Sequence, residues 1–552
     1  MSSMSRVKNP AAPTDLQDHL ANLEKMGLLT TIDRPINKDT ELHPLARWQF
    51  QGGLGEEERR AFLFNNVTGA KGEKYDFPVT AGALAASPAI YAAGMGVAVD
   101  EIGKLWVDAI NNPVDPVRID DAPCQEVVMT GDDLTAEGGG MASIPVPVST
   151  PGFDSAPYLT ATLVVTKDPE SNIQNMGTYR GQLKARDRLG VRMASRLGGA
   201  GGYLHWLKYQ EREELMPVAI VVGCAPAVLF TGPQKLPIDF DELGVAGGLL
   251  GQPVRTVRCK TIDLDVPADA EFIIEGLIDT KLLEPEGPFG ESHGHVALED
   301  FNMSMRITAI TRKAKPVFIS IISQVTPSES STMKKVAYEP LFLEHLKSAL
   351  NVKGIQRVVM HEPLTNIRKV IFLQFDRSAP QTEVWRGMQG AANLQAQCGK
   401  IVIAVSEDID PNNADAIFWS LAYRANLSTD LAVTPYRSRG HGPKSGKAES
   451  DSTLLIDATL KHNMPPLALP AEPFMRKAKE IWEELDLPRL TPQPPWYGYE
   501  LGDWDKLWSL FAERATSGDW EENGLHTYER RQGGMKPESP VRDYETPDHK
   551  KK

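Results

Sequence analysis

Between residues 286 and 291 the chain reads Glu-Gly-Pro-Phe-Gly-Glu, followed at once by Ser292-His293-Gly294-His295. Such a stretch is expected to be neither helix nor ordinary strand. Pro288 fixes its own φ and moves Gly287 away from the helical region, while Gly287 and Gly290 open backbone conformations closed to other residues. The chain must turn here, with a carboxyl group at each end of the turn. Acid–base chemistry needs one carboxyl protonated and the other ionised, and two interacting carboxyls near a fixed cation can be split that way. Taken alone, the same turn could equally carry two solvated surface acids.

A cation stands upstream in Gln174-Asn175-Met176-Gly177-Thr178-Tyr179-Arg180-Gly181-Gln182. The segment Leu159 to Thr166 is β-branched and partly alternating, so it reads as a strand; Lys167 to Asn172 is a turn signal, and Gln174 onward reads as the return strand of a hairpin. An Asn amide oxygen can bind a hard cation, Gly177 lets a ligand approach the backbone, and Arg180 offers a fork of donors for phosphate or carboxylate. The tract Arg186 to Ala200 is basic and Gly-rich, which suits a phosphate as well as it suits a solvated loop.

Length and charge narrow the field. A chain of 552 residues predicts about three or four domains and ample volume for a dry interior site. A net charge of −14 offers no general basic face for nucleic acid or anionic lipid. Cys124, Cys224, Cys259 and Cys398 are scattered without disulfide or metal-ligand spacing, as expected in a reducing compartment. The first ten residues lack an apolar core, and the longest apolar run, Met216 to Phe230, is broken by Pro217, Gly223 and Pro226. It reads as a buried strand and its turn, and the expected location is cytoplasmic.

The pattern along the chain is mixed. An amphipathic helix and short strands occupy about 14–115, with a loop over Gly52 to Arg60, and β-rich segments punctuated by Pro and Gly occupy about 116–320. Helical periodicity runs from Lys335 to Val352. Lys369 to Phe375 and Lys400 to Val405 read as strands, and Ala414 to Ala425 as a helix. Phe474 to Leu485 places Phe474, Ala478, Ile481, Trp482 and Leu485 on one helical face, expected to pack on another domain or subunit. Beyond Thr491, Trp496, Trp504, Trp508 and Trp520 point to packing, whereas Pro540 to Lys552 is charged and expected to be disordered.

In this order, Asn-x-Gly-x-Tyr-Arg over 175–180 and Glu-Gly-Pro-Phe-Gly-Glu over 286–291 resemble the UbiD family of prenylated-FMN-dependent decarboxylases. The likeness also takes in Asp15 to Glu24, Gly27 to Ile32, Ala122 to Glu126, Ile144 to Pro147 and Leu455 to Lys461. It implies an α/β (α+β) multidomain fold: an N-terminal α/β domain over 14–115, a flavin-binding split β-barrel over 116–320, a C-terminal α/β self-association domain over 321–490 with a terminal helix, and an extension over 491–552. It implies Arg180, Glu286 and Glu291 as the catalytic network, with Glu291 the proton donor. Asn175 and Glu242 would hold a divalent metal, Mn²⁺ or Mg²⁺, bridging to the flavin phosphate, and K⁺ is a further candidate cofactor. Thr178, Tyr179, Arg180, Arg192, Met193, Ala194, Leu197 and Gly198 would cradle the cofactor, with Lys400 a weaker candidate. Arg196 stands where many members carry a His, and Arg cannot donate a lone pair.

The resulting expectation is a homo-oligomeric decarboxylase of an aromatic or α,β-unsaturated acid, supplied with cofactor by a flavin prenyltransferase. Decarboxylation leaves two electrons on carbon that no side chain can absorb, so an organic electron sink is required. Candidate substrates run from hydroxybenzoates, polycyclic or heteroaromatic acids and cinnamate-like acids to aryl-CoA carboxylates such as phthaloyl-CoA. A catalytically silent flavin-binding subunit and a glycosidase-type hydrolase using Glu286 and Glu291 are the competing readings. The second leaves the upstream Arg180 motif unexplained.

Overall fold

Asp15 opens the first helix, Leu16–Lys25, by accepting a hydrogen bond from the Asp18 amide at 2.7 Å, and the helix turns Leu16, Leu20 and Leu23 inward. In this computed structural model the described residues are 12–193, 201–234, 236, 241–361, 368–395, 398–438, 450–461, 464, 467–488, 490, 492, 496–497, 506–517, 522 and 526. They fall into two compact units, the first holding the chain up to Leu341 and the second most of the chain beyond that residue. Both mix helices and sheets.

In the first unit the dominant element is a nine-stranded antiparallel sheet. Its strands run in the order Gln174–Gly177, Thr162–Lys167, Met216–Val222, Phe272–Glu286, Asp300–Arg312, Arg188–Val191, Gly181–Ala185 and Tyr158–Leu159, with Val127–Thr130 pairing beside Asp300–Arg312. Val221, Ile273, Ile274 and Ala309 are buried along the central strands. Ile273 and Ile274 point to opposite faces, so the centre of the sheet is dry on both sides. A smaller sheet orders Leu29–Ile32, Ala61–Phe64, Val79–Ala81 and Phe318–Ser320.

The hairpin read from the sequence is present: Thr162–Lys167 pairs antiparallel with Gln174–Gly177, bringing Asn175 opposite Thr166. The strand expected over 159–166 is two strands, however, because Leu159 pairs with Gly181 while Thr162 pairs with Val222. Met216–Val222 is a buried strand as expected, but the rest of that apolar run turns at Gly223, at φ 71°, into the helix Pro226–Thr231. Glu286 is a correction too. It ends a 15-residue strand, and Phe289–Gly290 forms a short ladder with Val296–Ala297, so the turn is built from strand ends.

In the second unit Ile355–Met360, Val370–Phe375, Ile401–Ser406, Asp451–Ala458 and Leu431–Arg437 form a five-stranded sheet whose three middle strands are parallel. Phe372, Ile403, Val405 and Ile456 pack with Ile417 of the helix Ala414–Arg424. The periodicity over 335–352 corresponds to a helix Glu329–Glu344 and a π-helical turn His345–Ala349. Glu472–Glu484 is helical. Among the described residues, no helix is long and apolar enough to cross a membrane.

Candidate active site

Three strand ends deliver the charged residues. Arg180 lies between Gln174–Gly177 and Gly181–Ala185, Arg192 directly follows Arg188–Val191, and Glu286 ends Phe272–Glu286. Arg180 Nε donates to Glu286 Oε1 at 2.7 Å and Nη2 to Glu286 Oε2 at 2.9 Å, a two-pronged contact, while Nη1 donates to Glu291 Oε1 at 2.5 Å. One guanidinium thus holds both carboxyls that flank the turn. Its planar fork is suited to this geometry, whereas a lysine ammonium would act as a point charge. Arg180 also lies over the Phe289 ring at 4.5 Å, inside the very turn it grips.

Two neighbours complete the network. Arg192 Nη1 is 3.8 Å from Glu286 Oε2 and 3.7 Å from Glu291 Oε1, so the residue assigned to cofactor binding also faces both carboxyls. Asn302 Nδ2 donates to Glu286 Oε2 at 3.4 Å. Asn302 carries no distinctive motif and reaches the site because Glu284 and Asn302 are paired in the antiparallel register, which sequence spacing cannot show. The Glu286 side chain is 0% exposed and that of Glu291 is 24% exposed, so only the second has a path to solvent.

Electrostatics separate the resting state from the one expected. Burial pushes the Glu291 carboxyl up, but Arg180, Arg192 and His293 together outweigh it and hold Glu291 below the ordinary glutamate range. Glu291 therefore rests ionised and is not a stored acid. To give a proton it must first gain one. Tyr158, whose ring packs 4.3 Å from Phe289, has its hydroxyl pushed up by burial and by Glu286, so it stays neutral.

A second constellation sits on the hairpin. Asp241 caps the helix Glu242–Leu250 by accepting from Leu243 N, which places Glu242 in its first turn. Glu242 Oε1 accepts from Asn175 Nδ2 at 2.6 Å and Oε2 from Met176 N at 3.0 Å. Burial lifts the Glu242 carboxyl to about 7. Asn175 Oδ1 is buried and has no hydrogen-bond partner among the described residues, and a Cβ on Gly201 would stand 2.2 Å from it. A buried amide oxygen without a donor, beside a carboxylate raised by desolvation, is what a hard cation would satisfy. The chemistry of these two residues fits the expected metal. Among the described residues no group of three His, Cys, Asp or Glu side chains is arranged as a metal site.

Around Gly202, Met193 Sδ and the Tyr179 ring lie 3.1 and 3.2 Å from where a Cβ would be, so these two cofactor candidates share one small cradle. Burial pushes the Tyr179 hydroxyl up to about 12. Thr178 is exposed beside them. Ala194, Arg196, Leu197 and Gly198 lie outside the described residues. Lys400 belongs to the second unit, where its Nζ pairs with Asp451 at 2.8 Å.

The fold is a mixed α/β multidomain one. The chain matches the 3-octaprenyl-4-hydroxybenzoate carboxy-lyase N-terminal domain over residues 20–110, its Rift-related domain over 116–325 and its C-terminal domain over 331–458. It belongs to the UbiD family. An uncharacterised protein of Synechocystis sp. is 26% identical over 527 residues, covering 88% of this chain and 99% of its own. A UbiD-class enzyme from Pelotomaculum thermopropionicum, solved in complex with FMN, superposes with a TM-score of 0.74 at 25% identity over 84% of this chain and 99% of that one. Its evolved dimeric form, in complex with prFMN, gives 0.71 at 26% identity over 83% and 97%. Vanillic acid decarboxylase of Sedimentibacter hydroxybenzoicus, at 22% identity and a TM-score of 0.71 over 85% and 99%, shares the fold.

Proposed function

We propose that the protein catalyses reversible, non-oxidative decarboxylation of an aromatic or α,β-unsaturated carboxylic acid, with prenylated FMN as its resident cofactor. The observation that carries this reading is Arg180 bound at once to Glu286 and Glu291, of which Glu286 is fully enclosed while Glu291 meets solvent. Relatives solved in complex with FMN and prFMN support the cofactor. Asn175 and Glu242 would hold Mn²⁺ or Mg²⁺, and Thr178, Tyr179, Arg180, Arg192 and Met193 would line the flavin. Bound prenylated FMN supplies the electron sink that no side chain offers.

The chain's own residues handle the carboxylate and the proton. Arg192, less enclosed than Arg180, steers the incoming carboxylate by charge. A substrate anion beside Glu291 counts against a second negative charge there, so Glu291 takes a proton from solvent as the substrate settles. CO₂ leaves as a neutral molecule, so the electron pair of the broken bond stays behind on the substrate and makes its carbon the base that Glu291 protonates. Glu291 then returns its proton to the substrate carbon, and the guanidinium of Arg180 again stabilises the anion. In the carboxylation direction Glu291 removes that proton as a base. Glu286 keeps Arg180 oriented, since its two-pronged contact uses both oxygens.

Protein co-produced with a flavin prenyltransferase and supplied with divalent metal is expected to release CO₂ from at least one of a panel of hydroxybenzoates, polycyclic and heteroaromatic acids, cinnamate-like acids and aryl-CoA carboxylates. The product should carry solvent deuterium at the vacated carbon. Protein reconstituted with FMN alone should be inactive. Equal turnover with FMN, or no CO₂ and no exchange across the panel, defeats the reading.

A further inference from the structure

The backbone between Glu286 and Glu291 is gripped by one loop from elsewhere in the chain, Ser149-Thr-Pro-Gly-Phe-Asp-Ser-Ala-Pro157. Asp154 Oδ1 accepts from Gly290 N at 2.8 Å, while Oδ2 accepts from Thr150 N of its own loop at 2.7 Å. Ser155 N donates to Pro288 O at 3.1 Å, and Ser155 Oγ donates to Gly287 O at 2.8 Å. Gln182 Nε2 donates to Ser155 Oγ at 2.6 Å, which leaves the hydroxyl proton committed to the Gly287 carbonyl. Gly287 sits at φ 102°, and at Gly290 a Cβ would stand 2.3 Å from Thr150 Oγ1. The loop is therefore built against the turn at close range.

We propose that Asp154 and Ser155 are positioning residues for this reaction, holding the Gly287–Gly290 backbone so that Glu286 and Glu291 meet Arg180 together. The assignment rests on reading Arg180, Glu286 and Glu291 as the reacting group. Their side chains act through the turn. A segment with two glycines between the acids has wide conformational freedom, and its own ladder to Val296–Ala297 is two residues long. Without the clamp, Glu286 would stay anchored at the end of its strand while Glu291 drifted from Nη1 of Arg180. Asp154 uses both oxygens as acceptors. An amide at that position loses one of them, whereas a threonine at 155 keeps the hydroxyl.

The test compares Asp154→Asn, Ser155→Ala and Ser155→Thr in the holoenzyme. In the first two, flavin content and KM should stay near wild type while kcat falls about 10- to 100-fold, the scale of a misplaced reacting group. Ser155→Thr should recover to within about threefold of wild type, the tolerance for an interaction retained in altered packing. An independent readout is titration of Glu291 in the cofactor-free protein, followed by its ¹³C-labelled carboxyl. Its midpoint should rise toward the ordinary glutamate value in Ser155→Ala and stay put in Ser155→Thr. Unchanged kcat with an unchanged Glu291 midpoint overturns the proposal, as does a loss in Ser155→Ala that Ser155→Thr shares. If the wild-type holoenzyme decarboxylates nothing, the functional reading fails, and the Glu291 titration still decides the clamp.

Discussion

Arg180 is the residue on which the site turns, since its fork serves two carboxyls and its side chain is 9% exposed. Arg180→Ala leaves Glu286 buried without its guanidinium. Breaking a buried pair from one side typically costs about 3–5 kcal/mol, so urea unfolding of the cofactor-free variant should show a loss of that order. Glu291→Gln is expected to retain flavin yet lose decarboxylation and deuterium incorporation by roughly 10²–10⁴-fold, the usual scale of a general acid. Near-normal turnover would remove Glu291 from that role. Because the folded Glu291 lies below its ordinary value of 4.5, its contribution to stability is complete above that value and is lost as pH falls through the lower folded value. Melting temperatures measured from pH 6 downward should fall less steeply in Glu291→Gln than in wild type. The residue types at 180, 286 and 291 were legible beforehand; the resting charge of Glu291 was not. It depends on Arg192 and His293 as well as Arg180, whose approach to one oxygen no spacing rule conveys.

At the scale of elements, the hairpin Thr162–Lys167 and Gln174–Gly177 presents Asn175, and the first turn of Glu242–Leu250 presents Glu242. Asn175→Ala and Glu242→Ala should each purify with less flavin and less divalent metal than wild type, measured by absorbance and elemental analysis. Gly201→Ala should do the same without changing any ligand, because its methyl would displace the Asn175 amide. Full occupancy in all three would detach these residues from the cofactor. Strands with clear alternation or β-branched runs were readable from the sequence, as at Val370–Phe375 and Ile401–Ser406. The breaks were less so. Thr160 and Ala161 look as strand-like as their neighbours, yet the chain changes pairing there from Gly181 to Val222, a choice made by the sheet.

For the whole molecule, the second unit leaves large apolar side chains in water. On Glu472–Glu484 and just beyond it, Phe474 is 52% exposed, Ile481 45% and Leu485 65%, and on Ala414–Arg424 Phe418 is 68% and Tyr423 65% exposed. Apolar groups exposed in this way favour association. A homo-oligomer, at least a dimer, is expected by sedimentation at micromolar concentration, and Phe474→Glu combined with Ile481→Glu should shift it toward smaller species. A wild-type monomer would count against this.

Local chemistry by itself determined that the chain must turn between Glu286 and Glu291, that an Asn lies on the return strand of a hairpin with an Arg just after it, and that helical and strand-like segments mix along the chain, because φ restrictions and side-chain periodicity act over a few residues. Tertiary structure alone decided that Arg180 meets Glu286 and Glu291 across 106 and 111 residues of chain. It also decided that Asn302 and Arg192 join them, and that the loop of Asp154 and Ser155 grips the turn. These contacts follow from strand order in a nine-stranded sheet and from the burial that order creates. Burial sets the balance between desolvation and charge, and so whether a carboxyl rests as an acid or as its anion.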